Sequence, residues 1–125
     1  MKTKIVAENA PKATGPFSHA IVNGNLVYTS GQIYLTQEGK LLEGTTEEQT
    51  HQIMKNLQAI LETAGVSFNE VVKTTIYVTD MSIYGLINTV YGSYMEEPFP
   101  AREVVCVKDL PLSAKIEISM IAVKG

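Results

Sequence analysis

Residues 45–78 read TTEEQTHQIMKNLQAILETAGVSFNEVVKTTIYV, and this stretch predicts a helix followed by a strand. Apolar side chains recur at helical spacing in its first half, at Ile53, Met54, Leu57, Ile60, Leu61 and Ala64. Either of two pairs can form the capping box that starts this helix, Thr45 with Glu48 or Thr46 with Gln49. Gly65 ends the helix. The β-branched and aromatic run at residues 71–78 then predicts a strand.

A hairpin is predicted upstream of this helix. Residues 20–29, AIVNGNLVYT, place two apolar runs around Asn23-Gly24, a pair that tolerates the positive φ of a tight turn. The second strand is expected to extend through residues 31–33.

Downstream, Asp80 or Ser82 can cap a second helix, whose apolar stripe is Ile83, Leu86, Ile87, Val90, Tyr91 and Tyr94. Strands at residues 103–108 and 115–123, separated by a turn at Leu110-Pro111, complete the chain.

The resulting order ββ–α–β–α–ββ predicts an α+β fold with one mixed sheet and two helices on one face. The strands are apolar on both sides, so the face without helices is exposed in a monomer. We therefore expect self-association into a symmetric closed oligomer.

The composition narrows the possible functions. The chain has 125 residues, which fits one domain over residues 1–125, and a net charge of −3, which argues against nucleic-acid binding. Cys106 is the single cysteine and cannot form an internal disulfide. The start, MKTKIVAENAPKATG, has no apolar signal region, and no apolar run is long enough to cross a membrane. We expect a cytoplasmic protein.

Familiar catalytic motifs are absent. The sequence contains no GxSxG, HExxH, Walker A or GxGxxG pattern, and Cys106 has no metal-ligand spacing to the two histidines. Within VVCV, residues 104–107, Cys106 is expected to be a packed structural thiol. His19 and His51 are each candidates for a base, although a packed or solvated histidine is the default.

Two charged residues stand out instead. Arg102 is the single arginine among nine lysines, and it follows the stiff segment at residues 98–101. Its planar fork can bind a carboxylate through two hydrogen bonds, which lysine cannot do. Glu117 interrupts an apolar strand, where a carboxylate is costly unless it is paired or lies at a cleft. If the last two strands pair, Arg102 could hold an anionic substrate and Glu117 could act as acid or base; a buried ion pair is the alternative.

These residues lie in a segment that resembles the reactive intermediate deaminase family, also known as the RidA/YjgF family. The resemblance is carried by FPAREVVCVKDLPLSAKIEISMIAV at residues 99–123. Further matches are ENAPKATGPFSHA at 8–20, TSGQI at 29–33, VVKTTIYVTDM at 71–81 and NTVYGSYM at 88–95. Because Arg102 is present, the chain is most similar to the archetypal RidA branch.

The resemblance implies a chorismate-mutase-like fold with a six-stranded sheet, and a homotrimer with active sites between subunits. It also implies hydrolysis of enamines and imines, such as 2-aminoacrylate, 2-iminopropanoate and 2-iminobutanoate, to 2-keto acids and ammonia. No metal or cofactor is expected, and neither a nucleic-acid nor a membrane partner.

The same resemblance implies roles for individual residues. Arg102 would bind the substrate carboxylate, and Glu117 would position the attacking water. Backbone groups near Gly31 and at Val104 would hold substrate and water, and Ser30 and Asn88 would lie at the cleft.

The chain departs from many relatives at two positions. Phe17 replaces a tyrosine, so it would be an apolar wall without a hydroxyl. Val104 replaces a cysteine of some relatives, and since only its backbone would be used, we expect this change to be tolerated.

Three other functions compete with the deaminase. A module that binds 2-keto acids such as 2-ketobutyrate through Arg102, without turnover, is the main alternative. A ribonuclease is disfavoured by the acidic charge and the lone arginine. A chorismate mutase is disfavoured because its substrate carries two carboxylates.

Overall fold

A computed structural model describes all of residues 1–125. Its strands are β1 (Thr3–Ile5), β2 (Ala20–Asn23), β3 (Leu26–Thr29), β4 (Val71–Val78), β5 (Ala101–Cys106) and β6 (Ile116–Val123). Its α-helices are α1 (Thr46–Thr63) and α2 (Tyr84–Tyr94). The six strands form one sheet in the order β1-β2-β3-β6-β4-β5, in which only β4 and β5 are parallel. The predicted α+β fold with a mixed six-stranded sheet is confirmed.

The predicted pairing of the last two strands is wrong. β6 lies between β3 and β4 and is antiparallel to both, whereas β5 lies at the sheet edge and pairs only with β4. The reason is the connection between β4 and β5: a helix joins them, which produces a parallel pair and leaves the other side of β4 free. β6 fills that free side.

Three smaller boundaries also differ from the prediction. Asn23 pairs with Leu26, so the hairpin loop is Gly24-Asn25, with a positive φ of 62° at Gly24 that suits a type II′ turn. The expected extension of β3 is a single bridge between Gln32 and Ile118. β5 begins and ends two residues earlier than expected, which places Arg102 inside the strand.

β1 was not predicted. Its three residues are largely exposed and too few to show an alternating pattern. It pairs with β2 and holds the N-terminal segment against the sheet.

α1 matches its predicted pattern. Thr45 is the N-cap: its hydroxyl accepts a hydrogen bond from the Glu48 backbone at 3.1 Å, and the Glu48 carboxylate accepts one from the Thr45 backbone at 2.8 Å. The Thr45–Glu48 capping box is thus the one that forms. The predicted stripe packs on the sheet, and Gly65 follows the helix with φ of 88°.

α2 begins later than its apolar stripe. Asp80 caps a short 3₁₀ turn, Met81–Ile83, by accepting a hydrogen bond from the Ser82 backbone at 2.9 Å. That turn leads into α2. Leu86, expected on the buried stripe, is 44% exposed, because the core-facing side of this short helix is narrow.

The helices cover only one of the two faces of the sheet. Along β6, buried residues alternate with partly exposed ones, and the buried set faces the helices. The opposite face carries apolar side chains that no helix of the chain covers: Ile21, Leu26, Tyr28, Tyr77, Val105, Ile121 and Val123. Self-association through this face stays a prediction.

None of the helices combines the length and the apolar character that a membrane-crossing segment needs.

The capping box gives a test of the fold. Thr45→Ala should lower the free energy of unfolding by about 1 kcal/mol, because the first turn of α1 loses a hydrogen-bond acceptor. Thr46→Ala is the matched control, since the Thr46 hydroxyl makes no cap contact. Urea unfolding followed by circular dichroism, at one fixed protein concentration, measures both. A larger loss in the Thr46 variant would contradict the assignment.

Candidate functional site

Arg102 is held by neutral side chains from α2. One guanidinium N–H donates to Asn88 Oδ1 at 2.7 Å, and another donates to the Tyr84 hydroxyl at 2.5 Å. The guanidinium carbon also lies 5.6 Å from the Tyr84 ring centre and 5.2 Å from that of Tyr91. Tyr91 is fixed in turn, because its hydroxyl donates to Thr74 Oγ1 at 3.0 Å.

The charge of Arg102 is not balanced within the chain. The structure contains one ion pair, between Lys73 and Glu103, and no carboxylate reaches the guanidinium. Burial raises the pKa of Tyr91, so its phenol stays neutral beside the cation. A positive charge held by neutral groups, with N–H donors left over, can bind an anion.

An open cavity of about 440 Å³ lies against Arg102. Its lining residues are Asn88, Tyr91, Gly92, Phe99, Pro100 and Arg102. A small carboxylate therefore has access to the guanidinium.

Glu117 lines a second cavity, of about 340 Å³. Its carboxylate packs directly on the Cα of Gly31, where a Cβ atom would collide with it. No hydrogen bond or ion pair is made by this carboxylate within the chain. Burial raises the pKa of Glu117, which brings its titration closer to neutral pH.

Within one chain, Arg102 and Glu117 lie on opposite faces of the sheet. Arg102 is in register with Thr74, a fully buried residue of the helix-covered face. Glu117 is in register with Tyr77, three residues farther along β4. Because side chains alternate between faces, an odd separation places them on opposite sides. The expected intrachain pocket, and the alternative intrachain ion pair, are both absent.

The other predicted site residues divide between the two places. Asn88 lies beside Arg102, and Val104 follows Arg102 on β5 with its side chain on the same face. Gly31 and Phe17, the latter 52% exposed, line the Glu117 cavity. Ser30 lies next to Gly31, where its hydroxyl donates to the Ser18 carbonyl at 2.5 Å.

The two histidines have structural contacts. His19 is buried, its Nδ1 accepts a hydrogen bond from the Ala7 backbone at 3.0 Å, and its Nε2 lies 2.6 Å from the Pro11 carbonyl, to which it donates. His51 Nδ1 lies 2.8 Å from the Tyr94 hydroxyl, linking α1 to α2.

Cys106 contradicts its prediction. It is exposed, because it lies at the end of β5, whose outer edge pairs with no other strand.

Sequence reasoning missed the two tyrosines that hold Arg102. The apolar pattern places Tyr91 on the stripe of α2 and does not single out Tyr84. The spacing of Tyr84, Asn88 and Tyr91 places the three on one helix face, and this was the available signal.

The family comparison matches nearly the whole chain. The family model described as Endoribonuclease L-PSP matches residues 7–124.

Curated relatives match over the same length. A RutC family protein of Pyrococcus horikoshii is 45% identical over 99% of both chains. The 2-iminobutanoate/2-iminopropanoate deaminase of Mus musculus is 41% identical over 97% of this chain and 90% of its own. Reactive Intermediate Deaminase A, chloroplastic, of Arabidopsis thaliana is 43% identical over 97% of this chain and 65% of its own.

Solved structures show the same fold. Yeast Mmf1 superposes with a TM-score of 0.97 at 33% identity, covering 100% of both chains. Escherichia coli TdcF with bound serine superposes with a TM-score of 0.92 at 33% identity, covering 98% of this chain and 99% of its own.

The unbalanced charge of Arg102 predicts carboxylate binding. Arg102→Met should weaken the binding of 2-ketobutyrate by at least about tenfold, since a charge-assisted hydrogen bond contributes about 1.5–3 kcal/mol. Lys55→Met, on the exposed surface of α1, removes the same charge away from the cavity and should bind as the wild type does. Isothermal titration calorimetry measures both. Equal weakening in the two variants would show that net charge alone attracts the anion.

Proposed function

The chain belongs to the endoribonuclease L-PSP family, which includes the RidA/YjgF proteins, and we propose that it hydrolyses small 2-imino acids and their enamines. The products are 2-keto acids and ammonia. The observation that carries this proposal is the Arg102 guanidinium, which neutral partners hold open to an anion beside a cavity. The proposed substrates are 2-iminobutanoate and 2-iminopropanoate, the latter with its enamine 2-aminoacrylate.

The active site in this proposal combines two copies of the chain. Arg102 and Glu117 cannot reach one small substrate from opposite faces of one sheet. A second copy that covers the apolar open face brings its own residues to the first. We propose a homotrimer closed by rotational symmetry, in which each interface contains Arg102 of one copy and Glu117 of the next.

Arg102 positions the substrate. Its free N–H donors bind the carboxylate that every 2-imino acid carries, while Asn88 and Tyr84 fix the plane of the guanidinium. Fixing the carboxylate places the neighbouring imine carbon at a defined distance from Glu117. Positioning alone supplies a substantial part of the acceleration.

Glu117 acts on water. Its carboxylate orients a water molecule and takes a proton as the oxygen attacks the imine carbon, which converts the C=N bond to a single bond. The proton passes to the nitrogen, which gives a carbinolamine. Glu117 then moves the remaining hydroxyl proton to the same nitrogen as the C–N bond breaks, so that ammonia leaves and the C=O bond forms. The raised pKa of Glu117 suits both proton transfers near neutral pH.

Neighbouring groups complete the proposed site. Backbone groups near Gly31 and at Val104 hold substrate and water, and Ser30 and Asn88 support the cleft. Phe17 supplies an apolar wall, since it lines the Glu117 cavity without a hydroxyl.

RNA cleavage is the activity named in the family description. The composition argues against it for this chain, because a net charge of −3 and a single arginine give no basic surface for a phosphate backbone.

The cytoplasm is the proposed location. The exposed thiol of Cys106 has no partner in the chain and fits a reducing compartment. The chloroplast in the name of the Arabidopsis relative shows that family members also work elsewhere.

Turnover tests the proposal directly. A threonine dehydratase generates 2-iminobutanoate in situ, and 2-ketobutyrate formation is followed while semicarbazide competes for the imine. The wild type should accelerate 2-ketobutyrate release, Arg102→Ala should abolish the acceleration, and Glu117→Gln should reduce turnover roughly 10²–10⁴-fold with a smaller effect on ligand binding. Lys55→Met is the control.

Two outcomes contradict this account. Saturable 2-ketobutyrate binding without any acceleration by the wild type would identify a keto-acid sensor. Wild-type turnover in both site variants would show that other residues carry the reaction.

The pH dependence tests the role of Glu117. Because burial raises its pKa, the carboxylate base should be lost at a higher pH than an ordinary glutamate would lose it. As the pH is lowered, kcat/KM, corrected for uncatalysed hydrolysis, should therefore begin to fall at a pH above the usual glutamate pKa of about 4.3. The Glu117→Gln variant should not show this fall in kcat/KM at low pH. The same fall in both proteins would show that protonation of the imine substrate causes it.

A further inference from the structure

The turn between β5 and β6 holds an unusual backbone conformation. Leu112 has φ of 56° and ψ of 24°, and Ser113 has φ of 61°. They are the only non-glycine residues of the chain with positive φ. L-amino acids rarely adopt this left-handed region, and two in succession persist only where the surroundings hold them.

Hydrogen bonds hold this turn. The Ser113 backbone donates to the Leu110 carbonyl at 3.1 Å, and the Ala114 backbone donates to the Pro111 carbonyl at 3.0 Å. The following residue, Lys115, donates its backbone N–H to the hydroxyl of the buried Tyr34 at 2.9 Å. The position of Leu112 is therefore fixed by the fold.

The constrained turn presents Leu112 to the Glu117 cavity. Leu112 is 65% exposed, although it is a large apolar side chain, and it lines this cavity. Much of the remaining wall is also apolar: Pro11, Phe17, Ile33, Leu35 and Pro111. The polar contribution comes from groups such as Lys12 and Thr14.

One group of the proposed substrate has no contact assigned to it so far. Its carboxylate is bound by Arg102, and its imine carbon faces the water held by Glu117. The remaining substituent is the amino-acid side chain. It extends from the reacting carbon, so the wall of the cavity around Glu117 is the surface that it meets.

We propose that Leu112 is a specificity-determining residue that contacts the substrate side chain and favours longer apolar substituents. The inference rests on the proposed imine hydrolysis. A methyl group is too short to use this contact fully, whereas each added methylene that is buried improves kcat/KM roughly fourfold. The enzyme then prefers 2-iminopentanoate to 2-iminobutanoate, and 2-iminobutanoate to 2-iminopropanoate.

A series of three imines tests this preference. An amino-acid oxidase generates 2-iminopropanoate, 2-iminobutanoate and 2-iminopentanoate from alanine, 2-aminobutanoate and norvaline, with catalase present. The wild type should show kcat/KM rising with chain length. In Leu112→Ala, the dependence of kcat/KM on chain length should be severalfold weaker, mainly because kcat/KM for 2-iminopentanoate falls. Its kcat/KM for 2-iminopropanoate should change by less than about twofold.

Two further variants separate the side chain from the backbone. Leu112→Gly removes the same side chain and also releases the constraint on φ, so it should flatten the series as Leu112→Ala does. Leu112→Met keeps a long apolar side chain and should retain the preference. Leu86→Ala removes an exposed leucine of α2 that lines neither cavity, and should behave as the wild type does.

The outcomes distinguish the role of Leu112 from the imine hydrolysis on which it rests. An active wild type whose preference survives in Leu112→Ala overturns the role of Leu112 and leaves imine hydrolysis intact. A wild type that accelerates none of the three imines overturns both.

Discussion

Strand β6 joins the two halves of the sheet, and its pairing decides how the two groups of candidate site residues lie relative to each other. On one side it bonds to β3 of the hairpin, and on the other to β4, the first strand of the β4–α2–β5 unit. The hairpin side brings Gly31 against Glu117, while the β4–α2–β5 unit brings Asn88 against Arg102. The alternation of side chains then places the two charged residues on opposite faces. A monomer contains two half-sites, each with one of the groups that the proposed reaction needs.

Each half-site is prepared in a different way. The Arg102 guanidinium stays charged but is held in one orientation, because Tyr84, Asn88 and Tyr91 contact it without neutralising it. The Glu117 carboxylate has no hydrogen-bond or ion-pair partner within the chain, and burial removes part of its hydration, which raises its pKa. A rigid cation suits recognition of a carboxylate, and a poorly solvated carboxylate suits proton transfer.

Local features of the fold could be predicted from the sequence, and the long-range pairing could not. α1 and β4 follow from apolar spacing and β propensity, and the Thr45 cap was one of two candidates. The neighbours of β6 depend on how α2 directs β5, which no local pattern encodes. The same limit explains the site: Arg102 stands out as the single arginine and Glu117 as a carboxylate in an apolar strand, but the faces on which they lie follow from register. The residues alone predict self-association without a number of copies; the trimer is implied by the resemblance to the family and stays a prediction.

In the proposed assembly, one active site uses Arg102 of one copy and Glu117 of another. The direct measurement is complementation between two inactive variants, Arg102→Ala and Glu117→Gln, unfolded together in equal amounts and refolded as mixed oligomers. Each mixed trimer regains one complete site of three, so random mixing in a closed trimer should restore about a quarter of the wild-type 2-iminobutanoate deaminase activity. Variants refolded separately and then combined provide the baseline. No recovery in mixed oligomers of wild-type size would contradict the account, because the two residues would then act from the same chain.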